Sequence, residues 1–277
     1  MKNIILIALI CLIPSFGFSN VTLVQSNAGG SASGSISVNA TITSSAGGFS
    51  STTTAGSLLV LVVWANGGVS GGTTALTTAP ISGGYGVGTW NGHSHGISAA
   101  NGDGGFTYAG GCYLFYIPNA AAMSPAQTTT VTVKNTGSAT STVEVEFSLY
   151  EFAGVDAAPA LDLAFAPQQG IANTGDSGTP SFDWNGIFGF TTSHTDLILM
   201  ALSAQPGTAL TAGSGYTLGI SASVATLGQL EYRLNAPSGQ TSATYTGSAS
   251  FWALAAISFS AAPPGSTTVA RHKGWIF

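Results

Sequence analysis

Apolar residues in this chain come in short runs, each closed by Gly, Asn, Ser or Pro. The runs are "SLLVLVVWA" (57–65), "CYLFYI" (112–117), "TTVTV" (129–133), "VEVEFSLYEF" (143–152), "DLILMALSA" (196–204), "GQLEYRL" (228–234), "TSATYT" (241–246) and "FWALAAISFS" (251–260). They are rich in β-branched and aromatic residues, and "SISVNATIT" (35–43) alternates apolar with polar positions. Runs of this length and make-up between turn residues predict β-strands. No segment combines a 3.6-residue apolar period with capping residues, so the pattern predicts an all-β fold.

The runs repeat. "FSSTTTAGSLLVLVVWA" (49–65) aligns without gaps on "FGFTTSHTDLILMALSA" (188–204), and "GCYLFYIPNA" (111–120) on "GQLEYRLNAP" (228–237). In each half a Thr-rich strand and a closing apolar strand follow. The predicted architecture is a single jelly-roll-like β-sandwich over 20–262, built from pseudo-repeats at about 22–155 and 178–262. The first alignment has an offset of 139 residues and the second of 117, so the first half carries 22 extra residues, read here as a long loop insertion over 66–110.

The order "TTTAGSLLVLVVWA", "FYIPNA", "EFAGVDAAPALD", "AGSGYTLG" and "FWALAAISF" resembles a recurrent uncharacterised β-sandwich module of exported bacterial and phage-associated proteins. The resemblance spans roughly residues 22–262 and rests on strand patterns. It implies a jelly-roll-like sandwich that accompanies adhesive or carbohydrate-active domains, and it supplies no catalytic residues.

The first 19 residues stand apart from the strand pattern. Lys2 precedes an apolar run from Ile4 to Leu12, and Gly17 and Ser19 occupy positions −3 and −1 of a cut before Asn20. This is the form of a secretory signal peptide, and the run is shorter than the ~20 apolar residues of a membrane span. The expected product is secreted or held at a cell surface, with no transmembrane segment after cleavage. Only Cys112 remains in it, so no intramolecular disulfide can form.

Composition narrows the function. Charged residues make up 5% of the chain, against ~25% in ordinary soluble domains. Net charge is −5, and four Lys and Arg residues remain after Lys2 is removed. Nucleic-acid binding requires clustered cations and is excluded. A surface this poor in charge suits a protein held on a surface or in an assembly.

Candidate chemistry concentrates in the extra residues of the first half. "WNGHSHG" (90–96) holds two of the four histidines, and on a strand His93 and His95 would share a face. Ala99 and Ala100 stand where a cupin-like pattern has its glutamate, so we assign no metal and no cofactor. Trp90 and Tyr108, with Tyr85, Asn91, Asn101 and Asp103, combine flat aromatic faces with amide and carboxylate groups, as glycan recognition requires. The same aromatics could equally pin the insertion to the sandwich. The candidate ligand set is Trp90, Asn91, His93, His95, Asp103 and Tyr108.

Glu144 and Glu146 alternate on one strand, with Glu151 beyond them. Paired carboxylates serve glycoside hydrolysis, but Ser148 stands where a laminarinase-type strand has its last glutamate, and a solvent-facing pair explains the pattern as well. "GVSGG" (68–72) lacks the helix that a nucleophile elbow needs. Residues 263–277 follow a Pro-Pro-Gly-Ser break and end in "RHKGWIF"; they suit a disordered tail, a sorting signal or a strand offered to another subunit.

The expectation is an exported, non-enzymatic surface or adhesion protein that binds a glycan. The alternatives are a structural subunit of a filament, appendage or virion, self-assembling through the tail, and a glycoside-active enzyme. Mass spectrometry of exported material should find a mature chain beginning at Asn20; an intact Met1 would replace the signal peptide with an anchor.

Overall fold

The computed structural model describes residues 20–70, 76–83, 91–100, 106–125, 127–156, 161–163, 179–183, 196–204, 210–220, 228–240, 242–247 and 252–262. The chain is all-β; the described residues contain no helix and form antiparallel sheets packed as a β-sandwich. In the largest sheet, β1 (Thr22–Asn27) and β2 (Ser31–Ile36) pair in succession with β9 (Ser141–Ala153). Next to β9 lies β4 (Leu58–Ser70), then β7 (Phe106–Ile117) and β6 (Asn91–Ala100). The second large sheet has the order β10 (Leu161–Leu163), β16 (Trp252–Ser260), β12 (Asp196–Ala204), β14 (Gly228–Ala236), β13 (Thr217–Leu218). A three-stranded sheet joins β3 (Thr41–Ala46), β8 (Thr129–Asn135) and β5 (Leu76–Gly83), and β11 (Ser181–Asp183) pairs with β15 (Ser242–Thr244).

These sheets form more layers than the two expected. Along β4, Leu58, Val60, Val62 and Trp64 face a core shared by the two large sheets, with Leu197, Leu199 and Ala201 of β12 opposite. The intervening Leu59, Leu61, Val63 and Ala65 face a second core, closed by Val131 and Val133 of β8. β12 repeats the arrangement, with Ile198, Met200 and Leu202 turned to a third core that includes Tyr245 and Leu210. Each half therefore carries its own outer layer, and the halves meet back to back through their large sheets. Strands covered on both faces favour apolar side chains at successive positions, which is why 58–65 of β4 and 197–202 of β12 are unbroken apolar runs.

The halves match strand for strand. β4 lies between β9 and β7, and β12 lies between β16 and β14. Leu59 pairs with Ile117, and its counterpart Ile198 pairs with Arg233, so the second repeat offset is 116, one less than the sequence alignment over 111–120 gave. The corrected offset puts Leu114 on Leu230 and Tyr116 on Tyr232, all four in the shared core. It also matches Asn119 with Asn235, both left-handed at φ 52, a conformation that Asn tolerates better than most residues. A one-residue slip turns every side chain to the opposite face, so only the corrected register is compatible with burial.

The stretch 66–110 also differs from expectation. Each described part of it is strand: the end of β4, all of β5 and β6, and the start of β7. Its Gly, Ser and Thr content suggested turns, but long neighbouring strands supply hydrogen-bonding partners that override weak local preference.

Polar contacts fix the two halves in register. Asn235 accepts from Val21 N at 2.7 Å and donates to Val21 O at 3.1 Å, acting as a piece of strand toward the first half. Ser203 Oγ donates to Asn66 Oδ1 at 2.5 Å, and Tyr150 OH to Ile220 O at 2.6 Å. The backbone closes one margin through Asp156 N to Ser260 O (3.0 Å) and Ala262 N to Gly154 O (2.7 Å).

Gly228 shows how closely the halves approach. A Cβ there would lie 2.0 Å from Cδ1 of the fully buried Trp64. An indole enclosed on all sides cannot step aside, so Gly228→Ala should lower stability by about 3 kcal/mol in urea unfolding. Gly47→Ala, with nothing within 4 Å of the new Cβ, should stay within about 0.5 kcal/mol of wild type. Equal effects would mean that the close contact is not what the core depends on.

Candidate functional site

Four of the six candidate ligand residues lie on described strands: Asn91, His93 and His95 on β6, and Tyr108 on β7. Trp90 and Asp103 lie outside the described residues, as does the 263–277 tail. Asn91 pairs with Tyr116, His93 with Leu114, His95 with Cys112, and Tyr108 with Ala99. At ~3.3 Å per residue, Asn91 and the partner of Tyr108 are about 26 Å apart along β6. The strand brings His93 and His95 to alternate positions and spreads the others along its length. Among the described residues, no group of three or more His, Cys, Asp or Glu is placed to hold a metal ion.

The carboxylates of β9 are drawn into the structure. Glu146, in register with Trp64, is fully buried, so the pair with Glu144 is not on a solvent-facing strand. Glu151 is also fully buried. One of its oxygens accepts from Thr54 N and the other from Gln25 Nε2, each at 2.6 Å. Cys112 is buried, its Sγ donates to Ala201 O at 3.3 Å, and burial pushes its thiol up to about 12. It is a core residue and not a nucleophile at neutral pH.

The second half holds a less settled polar group. On β14, Leu230 and Tyr232 face the shared core, while Gln229, Glu231 and Arg233 alternate onto the opposite face. Glu231 is 0% exposed. Its Oε2 accepts from Gly213 N at 2.8 Å, and its Oε1 has no hydrogen-bond partner. The side-chain oxygens of Gln229 (Oε1) and Tyr216 (OH) likewise lack partners. Arg233 spends its charge elsewhere: Nη1 donates to Gln240 Oε1 at 2.8 Å, and the guanidinium lies 5.9 Å from the centre of the Tyr216 ring.

Burial pushes the Glu231 carboxyl up to about 7, against the partial relief of the Gly213 N–H. Tyr216 and Tyr245 are raised first by their own burial and then by the charge of Glu231. A carboxyl that titrates near neutrality is the type of group that proton-transfer sites use. No nucleophile accompanies it among its described neighbours, which leaves a proton-binding site without evident chemistry.

Sequence reasoning did not single out Glu231. Alternation in "GQLEYRL" puts Gln229, Glu231 and Arg233 on one face, and three polar side chains in such a row read as solvent-facing. The covering layer, Leu210–Tyr216 and the β11–β15 pair, is supplied from distant positions in the chain.

No family model, no curated protein and no solved structure matches the chain.

Glu231 has a measurable consequence. Its folded form holds the proton more tightly than the ordinary value of 4.5 allows, so rising pH disfavours the folded state. Its effect should be absent below about pH 4.5, grow through the interval to about 7, and level off above at roughly 3 kcal/mol of lost stability. Thermal melts from pH 4 to 9 should show this decline in wild type and not in Glu231→Gln. A wild-type profile that rises over the same interval contradicts the assignment.

Proposed function

We propose that the chain is an exported, non-enzymatic β-sandwich protein of a cell surface or extracellular assembly, and that it binds a glycan through the stretch 66–110. The observation that supports a non-enzymatic role is the fate of the β9 carboxylates. Glu146 is enclosed between the sheets, and both oxygens of Glu151 are committed to Thr54 and Gln25. A glycosidase needs two carboxyls facing the scissile bond across a space that substrate can enter. The glycan assignment rests on residue type: Trp90, Tyr108, Asn91 and Asp103 are the stacking and hydrogen-bonding groups that sugars require.

One observation favours assembly as a second reading. β6 ends the six-stranded sheet, and among the described residues it pairs only with β7. Its ten residues, "NGHSHGISAA", include no Lys, Arg, Asp, Glu or Pro. Edge strands that avoid pairing with other chains usually carry such residues. Residues 263–277 are the natural candidate for a linking strand in that assembly.

A glycan array probed with the mature protein tests the main reading. Wild type should retain a defined set of glycans, and Trp90→Ala should lose them at least tenfold while melting at the wild-type temperature. Hydrolysis of any retained glycan, abolished by Glu144→Gln, would establish the enzyme alternative. No retention, together with ordered polymers under the electron microscope, would establish the structural subunit.

A further inference from the structure

We propose that Glu231 is a pH-operated latch: protonated, it fastens the segment Leu210–Tyr216 and the β11–β15 pair onto the five-stranded sheet, and ionised, it releases them. The contacts that carry this inference all meet at one carboxyl. Gly213 N donates to Glu231 Oε2 at 2.8 Å, so the segment is held directly by that group. Gly213 is also wedged against β15, since a Cβ on it would lie 1.8 Å from Thr244 O. Thr211 and Thr246 exchange backbone hydrogen bonds at 3.1 and 2.9 Å, which joins the segment to the end of β15. Pro180 O, just before β11, accepts from Tyr245 N at 3.0 Å. Segment and strand pair thus form one covering layer, whose Leu210 and Tyr245 pack on Ile198, Met200 and Leu202, and among the described residues few hydrogen bonds tie it to β14 and β12. Besides the Glu231 contact, Gln229 Nε2 donates to Leu210 O at 3.3 Å, and Tyr245 OH lies 2.8 Å from Met200 O and 3.1 Å from Gln229 O.

The two protonation states of this carboxyl fare differently in the closed arrangement. A neutral carboxyl buries at modest cost, and its O–H can donate where Gln229 and Tyr216 leave oxygens without partners. The ionised form would be enclosed, among the described residues, with one N–H donor and no cation bonded to it. Arg233, two residues along the same face, is engaged by Gln240 and lies over Tyr216. Among the described residues, the other titratable groups facing Glu231 are Tyr216 from the covering segment and Tyr245 from the end of β15, and neither supplies positive charge. β12 and β13 place Met200 and Leu218 opposite Glu231, and neither side chain titrates. An enclosed, poorly solvated carboxylate is relieved most directly by admitting water, and the covering layer is the part that can lift to admit it. Opening then releases one proton to solvent, and by linkage rising pH favours the open form.

Hydrogen exchange followed by mass spectrometry on the full mature chain tests the latch. Protection of amides in 210–216 and 242–247, corrected for the intrinsic pH dependence of exchange, should fall at least tenfold from pH 5.5 to 8.5. Amides of 143–152, in the first half, should stay better protected than these at every pH, losing no more than the global stability loses. Glu231→Gln, which keeps the acceptor and cannot ionise, should remain protected across the range. The same fall in Glu231→Gln, or a flat wild-type profile, overturns the latch; so does protection of 143–152 no higher than that of 210–216 and 242–247, which would report global unfolding. If Glu231→Gln does not fold, the wild type alone decides. The carboxyl stretch of a protonated, buried glutamic acid should persist at pH 6 in infrared spectra, and its disappearance by pH 5 overturns the proposal.

Discussion

β4 and β12, like β9 and β16 beside them, carry buried side chains on both faces, and the rest of the molecule is arranged around that condition. Each is the middle strand of a large sheet, each turns one set of side chains to the shared core, and each turns the alternate set to a separate outer core. A fully buried Leu, Val or Ile contributes about 1.5–3 kcal/mol, so such strands form the main favourable term for this chain. The cost is that both faces must be covered. The small outer sheets exist to cover them, and the back-to-back meeting of the halves covers the remainder.

The same enclosure sets the terms for polar groups. Several polar side chains that enter the layers are matched by specific partners: Asn235 with the backbone of Val21, Asn66 with Ser203, Glu151 with Thr54 and Gln25. These pairs fix which strand meets which, since unpaired polar groups in such an interior are costly. Glu231 is matched on one oxygen only. That incomplete match separates it from Glu151, and it makes the second half's outer layer a part of the fold that can respond to protons.

Low charge and deep burial suit a protein that works by presenting a stable surface. Glu151 is committed to the fold through both oxygens, leaving aromatic and amide groups of the first half's extra residues as the candidates for contact with a ligand. That division, with a rigid repeated scaffold and an elaborated strand region on one half, is a common way to place binding on a β-sandwich.

Much of the fold was legible in the sequence because it is written in local pattern. Runs of β-branched and aromatic residues between turns marked the strands, and the likeness of 49–65 to 188–204 marked the repeat, whose matched strands occupy equivalent places in the two large sheets. The unbroken apolar runs of β4 and β12 even carried the signal for burial on both faces. Other features were decided by tertiary structure alone. The one-residue correction that pairs Tyr116 with Tyr232 depends on which face meets the shared core, and local pattern cannot choose between registers. The strands of the 66–110 stretch form because neighbouring strands supply their hydrogen bonds, against the turn preference of their glycines. Glu231 sits on a face that alternation marks as wet, and only the arrival of a segment and a strand pair from elsewhere in the chain makes it dry. Periodicity reports which residues share a face; what covers that face is a long-range fact, and the proton affinity of Glu231 follows from the cover.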